Sequence, residues 1–133
     1  MNTTIEDTIK EIIQECNAGR MQFGQAVKAL IEAGVESYLV DYRASRITYY
    51  MPSGTTFTLE QAAPEVAIAT NFDQTAIQAA IRAAQTAEIM YPEFKRRSQL
   101  AGCVQYSVWL AGRHVAYLGR KGEVHIEPFP PQM

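Results

Sequence analysis

The stretch that decides the fold is Ala33-Gly34-Val35-Glu36-Ser37-Tyr38-Leu39-Val40-Asp41-Tyr42. Upstream of it, Phe23, Ala26, Val27, Leu30 and Ile31 recur at helical spacing and predict a helix from about Phe23 to Glu32. Gly34 stands where that helix must end, since only glycine turns left-handed there without a steric penalty. From Tyr38 the period drops to two. Tyr38, Val40 and Tyr42 alternate with Leu39 and Asp41, as in a strand. Within ten residues the chain passes from helix to strand, which points to an α+β fold.

The same passage recurs 68 positions later. Ala33-Gly34-Val35 falls on Ala101-Gly102-Cys103, Tyr38 on Tyr106, Val40 on Val108, Tyr49 on Tyr117 and Gly54 on Gly122. Upstream, Ile9 falls on Ile77, Ile13 on Ile81 and Phe23 on Tyr91. The matches sit on helix stripes, helix-ending glycines, alternating strand positions and a turn glycine. This pattern predicts an internal duplication, with repeats at 5–60 and 73–128.

Each repeat reads helix-helix-strand-strand-strand. In the first, Thr3 with Glu6 forms a capping box ahead of Ile5, Ile9, Ile12, Ile13 and Cys16, and Gly19 closes the helix. After the 23–32 helix come strands at 38–42, 47–51 and 55–59, with turns at Ala44-Ser45 and Pro52-Ser53-Gly54. Ala62-Ala63-Pro64 is a candidate linker, and Val66 with Ile68 a short extra strand. In the second repeat, Asp73 caps a helix with Ala76, Ile77, Ala80, Ile81 and Ala84 on one stripe. A helix from about Tyr91 ends at Gly102, and strands follow at 104–110, 113–118 and 123–126. Neither half of about 65 residues has a comfortable core alone. The expectation is one domain over 1–133, with the helices of both repeats packed on an antiparallel sheet.

Charge and composition exclude several functions. Twelve Lys and Arg against fourteen Asp and Glu leave a net charge of −2, which argues against a nucleic-acid partner held by overall charge. The longest uncharged stretch, Ser98 to Gly112, is too short and too polar to span a bilayer. The first residues, Met1-Asn2-Thr3-Thr4-Ile5-Glu6-Asp7, have neither the basic nor the apolar region of a secretory signal, so a cytoplasmic location is expected. Cys16 and Cys103 read as reduced, buried side chains. No motif of the hydrolytic or phosphate-cradling kind occurs, and no metal or cofactor is expected.

Two sets of residues are candidates for function. Glu123, His125 and Glu127 share one face of the last strand, where the first repeat has Thr55, Phe57 and Leu59. A histidine between two carboxylates can act as acid or base. The plainer reading is that this edge strand turns them to solvent and buries Val124 and Ile126, which is the expectation adopted. The second set is a basic and aromatic surface of Lys95, Arg96, Arg97, Trp109, Arg113, Arg120 and Lys121, with His114 beside it. Residues 71–133 carry net +2 against −4 for 1–70, so an acidic partner is conceivable there. The plainer reading is a solvated helix face, with Tyr106, Tyr117 and Trp109 filling the core. Cys103, just past a helix C-terminus, sits at the wrong end of the dipole for a reactive thiol.

The chain resembles the YdfO/YbcV-like family of small uncharacterised bacterial and prophage proteins, often labelled phage envelope protein. The resemblance rests on Ala33-Gly34-Val35 with Tyr38, Thr48-Tyr49-Tyr50 with Gly54, and Tyr91-Pro92-Glu93-Phe94. It continues in Ala101-Gly102-Cys103-Val104 with Tyr106, and in Gly119-Arg120-Lys121-Gly122-Glu123-Val124-His125-Ile126-Glu127. Relatives often carry a cysteine where this chain has Lys95, so a thiol role there does not transfer. The resemblance implies no reaction, and no membrane segment or signal supports the envelope label. Function is therefore expected to be that of a small interaction or regulatory module without catalysis, with an unknown protein or small-molecule partner; a homo-oligomer stays open. The alternative is a small-molecule-binding protein or enzyme with a tyrosine-lined pocket between the repeats. A closed apolar cavity with convergent polar groups would favour the second, and a flat exposed aromatic patch the first.

Overall fold

A computed structural model describes residues 4–62 and 66–131. Helix α1 (Ile5–Asn17) buries Ile9, Ile12 and Cys16. Its N-cap is Thr4, whose hydroxyl accepts the Asp7 N–H at 3.1 Å. This corrects the expected Thr3, which lies outside the described residues: Thr4 is the residue whose oxygen reaches the third free N–H of this helix. Helix α2 (Phe23–Glu32) follows, then strands β1 (Ser37–Asp41), β2 (Arg46–Tyr50) and β3 (Thr56–Glu60). The second half repeats the order with α3 (Gln74–Gln85), α4 (Tyr91–Leu100), β4 (Cys103–Trp109), β5 (His114–Gly119) and β6 (Val124–Pro128). Asp73 caps α3 through the Ala76 N–H, and Pro92 occupies the first turn of α4, where its missing N–H costs nothing.

Ala63 and Pro64 of the proposed linker lie outside the described residues. Val66 and Ile68 form no strand. Instead the Ala69 N–H donates to the Gln99 carbonyl at 3.0 Å, and Arg120 donates to the carbonyls of Ile68 and Ala69. The segment is tied to the end of α4 and to the β5–β6 turn, which leaves its backbone no strand partner.

All six strands form one antiparallel sheet in the order β3-β2-β1-β4-β5-β6. The duplication is visible in the register. Tyr38 faces Tyr49 across β1–β2, and Tyr106 faces Tyr117 across β4–β5, each 68 residues on. Ile47 faces Leu59 and Val115 faces Glu127 in the same relation. The two halves meet at β1–β4, where Leu39 pairs with Ser107, its own counterpart. A pseudo-two-fold axis therefore passes through that pair.

Period-two alternation splits the sheet into two faces. Val40, Ile47, Tyr49, Val108, Val115 and Tyr117 point to the helices and are buried. No described element covers the opposite face, and on it Tyr50, Trp109, Val124 and Ile126 are exposed. The turns into β1 and β4 are made by Gly34 and Gly102, both at positive φ, +88° and +92°. The Val35 N–H reaches back to the Leu30 carbonyl and the Gly34 N–H to that of Ile31, so the last carbonyls of α2 are satisfied.

Candidate functional site

β6 is inverted relative to the sequence expectation. His125 and Glu127 are buried, at 6% and 7% exposure, while Val124 and Ile126 are each half exposed. The reason is register. Tyr117 pairs with His125 and Val115 with Glu127, and cross-strand partners share a face, so both polar residues must point to the helices. Val124 and Ile126 then lie on the open face beside Leu118 and Ala116.

Both members of the buried pair have polar partners. Gln74, at the start of α3, places its amide nitrogen 2.9 Å from His125 Nδ1. An amide N–H donating there puts the ring proton on Nε2, which lies 3.1 Å from Glu127 Oε1. Glu127 Oε2 in turn meets Arg82, two turns further along α3, at 3.3 Å. One helix face thus brackets a histidine and a carboxylate of one strand. Glu123 is not part of this chain: its carboxylate accepts the Lys121 N–H at 2.8 Å and closes the β5–β6 turn. Gln74 and Arg82 escape sequence reasoning because nothing local ties α3 to β6.

The basic residues do not converge. Lys95 is buried at 8%, which corrects its place on a surface. It occupies the position of Val27 in the first repeat, so α4 turns it inward, where Nζ meets Asn17 Oδ1 at 2.7 Å and lies 5.0 Å from the Tyr91 ring centre. Arg96 and Arg97 are exposed, and both contact the Glu93 carboxylate. Arg113 sits over the Phe129 ring at one end of β5, and Arg120 and Lys121 lie at the other end, about 20 Å away at strand rise. Trp109 is 44% exposed on the open sheet face beside His114.

Between helices and sheet lies a cavity of about 70 Å³, to which both halves contribute. By volume it holds about five waters, the space of a small ligand. Tyr38 and Tyr49 come from the first half, Tyr91, Tyr106 and Tyr117 from the second, and Glu127 from the edge strand. The wall includes Cys16 and Phe94, and the segment after β6, with Phe129 and Pro130, runs along it. The rings form two tilted cross-strand pairs, Tyr38–Tyr49 at 5.2 Å and Tyr106–Tyr117 at 5.4 Å. These four residues are also identities between the repeats, which is the signal in the sequence that marks them.

The hydroxyls divide into two groups. Tyr91 and Tyr106 bond each other at 2.6 Å, and Tyr91 also accepts from Gln61 at 3.2 Å. The hydroxyls of Tyr38, Tyr49 and Tyr117 have no partner among the described residues. They are not sealed in the protein either, as Gln61 Oε1 and Gln99 Nε2 are. Three side chains more than nine-tenths buried therefore open polar atoms onto the cavity.

Burial keeps these groups neutral. Desolvation raises Tyr38 and Tyr106 well above 10, raises Tyr49 and Tyr117 as well, and takes Tyr91 to about 12. It pushes the Cys16 thiol to about 11 and Cys103 to about 12. Each folded value lies above the ordinary 9 or 10 of the free side chain, so the unfolded chain ionises first. Their contribution to stability is complete below pH 9 and is lost as pH rises toward 12. Urea unfolding at pH 8 and pH 10.5 should show the protein weaker at the higher pH, with tyrosinate absorbance of the buried rings rising only as the protein unfolds. Smooth ionisation of all seven tyrosines in the folded protein would contradict the burial.

Residues 43–128, from the end of the first repeat through the whole of the second, match the family model described as a protein of unknown function, DUF1398. The chain belongs to the DUF1398 family. No curated protein was found to match it. The matched span of DUF1398 contains Tyr49, Tyr91, Tyr106, Tyr117, His125 and Glu127, but not Tyr38 of β1.

Proposed function

We propose that this DUF1398 protein binds a small molecule in the tyrosine-walled cavity between its two halves. The observation that carries the reading is the trio of open hydroxyls on Tyr38, Tyr49 and Tyr117. A buried polar group without a partner costs folding free energy, about 1–3 kcal/mol each if fully desolvated. Three of them around one hollow are what a site arranged for a ligand's polar groups would leave. The expectation of a bacterial or prophage protein rests on the sequence resemblance, and that of a cytosolic one on the first residues, which lack the features of a secretory signal.

The test is a screen of single-ring compounds by protein-observed NMR and thermal shift. A ligand at one hundred times its Kd adds about 2.7 kcal/mol of stability. The expected result is hits that perturb Tyr49, Tyr117 and Ala26 together. In the free protein, Tyr38→Phe and Tyr49→Phe should leave stability within about 0.5 kcal/mol, since no protein hydrogen bond is lost, while hit affinity falls. If no compound binds, or if either change destabilises strongly, the hydroxyls serve the fold and the proposal is wrong.

One observation favours a second reading, an interaction module without catalysis. Trp109, Val124 and Ile126 are exposed on one sheet face, and large apolar side chains gathered on one exposed face are characteristic of contact surfaces. Trp109→Ser with Val124→Thr should then abolish partner capture and leave the cavity ligand bound.

A further inference from the structure

We infer that the cavity's ligand is a small cation, a protonated amine on an apolar or aromatic body, with its nitrogen at Glu127 and its body among the tyrosines. This rests on the cavity being a ligand site and specifies what it selects.

The argument starts from the charge of the wall. Among the described residues that line the cavity, Glu127 alone carries a formal charge, and none is a Lys, Arg or His. The carboxylate is buried, and its two oxygens are each held by one contact, His125 on Oε1 and Arg82 on Oε2. A carboxylate has about four acceptor positions, so about half remain for a donor on the cavity side.

The flanking groups offset it only in part. Arg82 pairs with Oε2 at 3.3 Å, well inside the screening length, but its side chain is 58% exposed and lies outside the cavity lining. With Gln74 donating to Nδ1 and Nε2–H donating to Glu127, His125 makes both contacts as the neutral ring. Lys95, the other cation packed nearby, keeps its charge in its hydrogen bond to the neutral Asn17 amide, and it lies outside the lining.

The rest of the wall agrees in sign. The open hydroxyl oxygens carry partial negative charge and accept hydrogen bonds, and tyrosine rings attract cations at their faces. An ammonium entering this space meets a carboxylate, phenol oxygens and aromatic rings. A carboxylate-bearing ligand would meet Glu127 with no cation among the described lining residues. A neutral analogue would gain the ring contacts and lose the charge term.

The experiment compares three probes of nearly one shape: 2-phenylethylamine, 2-phenylethanol and phenylacetate, titrated calorimetrically at pH 7. The amine should bind at least about tenfold more tightly than the alcohol, which is about 1.4 kcal/mol, and phenylacetate should not bind measurably. Glu127→Gln should collapse the ratio of amine to alcohol toward one. The ranking in the unaltered protein stands by itself if that variant does not fold. Equal binding of all three probes, tightest binding by phenylacetate, or an amine preference that survives Glu127→Gln would each overturn the cation inference while leaving the cavity a ligand site. Failure of all three to bind, together with an empty fragment screen, would remove the ligand reading itself.

Discussion

Gly102→Ala is expected to destabilise the protein by about 3 kcal/mol, whereas Gly34→Ala, at the equivalent position of the first repeat, should cost about 1 kcal/mol. Both glycines follow a helix at positive φ, where a β-carbon costs about 1–2 kcal/mol. The difference lies in what surrounds them. A β-carbon on Gly34 would meet only the end of the Met51 side chain at 3.6 Å, which is ordinary contact. On Gly102 it would overlap the Asn71 carbonyl oxygen and come within 2.9 Å of Phe72 Cα. Those are backbone atoms of a segment anchored by the bonds Asp73 N–H to Ala101 O and Ala69 N–H to Gln99 O. They cannot move aside as a side chain can, so overpacking of about 1–3 kcal/mol adds to the conformational strain. Urea denaturation of the two variants measures the gap. Equal losses would mean that the 66–72 segment does not hold its place against α4.

The second large effect concerns His125 and Glu127. His125→Phe, which installs the residue of the first repeat, should cost about 2–3 kcal/mol, because it leaves a buried carboxylate without its nearest donor. Glu127→Leu should cost about 1–3 kcal/mol by stranding the His125 N–H. The double replacement restores Phe57 and Leu59 of the other copy and removes both polar partners at once. It should lie within about 1 kcal/mol of the unaltered protein, since exchanging a matched buried pair for apolar groups of similar shape is nearly neutral. A double-mutant cycle by urea unfolding therefore shows strong coupling. Additive losses would show that the two side chains are not held together. As a control, Val124→Thr and Ile126→Thr on the open face should each change stability by no more than about 0.5 kcal/mol.

The contrast between the two ends of the molecule shows which signals survive in a sequence. The α2 boundaries, Phe23 and Glu32, and the positive φ of Gly34 and Gly102 were legible because they depend on spacing within a few residues and on the lack of a β-carbon. The repeat at 68 residues was legible for the same reason, since it is the same local pattern twice. Lys95 was misplaced because a Lys-Arg-Arg run looks solvated, and only its match to Val27 hints that it points inward. Inside, it is stabilised by Asn17, 78 positions away.

By itself the sequence determined the order of the helices and the six strands, the glycine-marked ends of α2 and α4 and the existence of two equivalent halves, all properties of short-range periodicity and backbone sterics. Tertiary structure decided which face of β6 is buried. Period two defines two faces and leaves open which meets the helices, and pairing with Tyr117 and Val115 overrode the apolar preference of Val124 and Ile126. It also decided that Tyr38, Tyr49 and Tyr117, which could have filled a solid core, enclose a hollow instead. A cavity is a mismatch between surfaces contributed by distant segments, so no local pattern of residues records it.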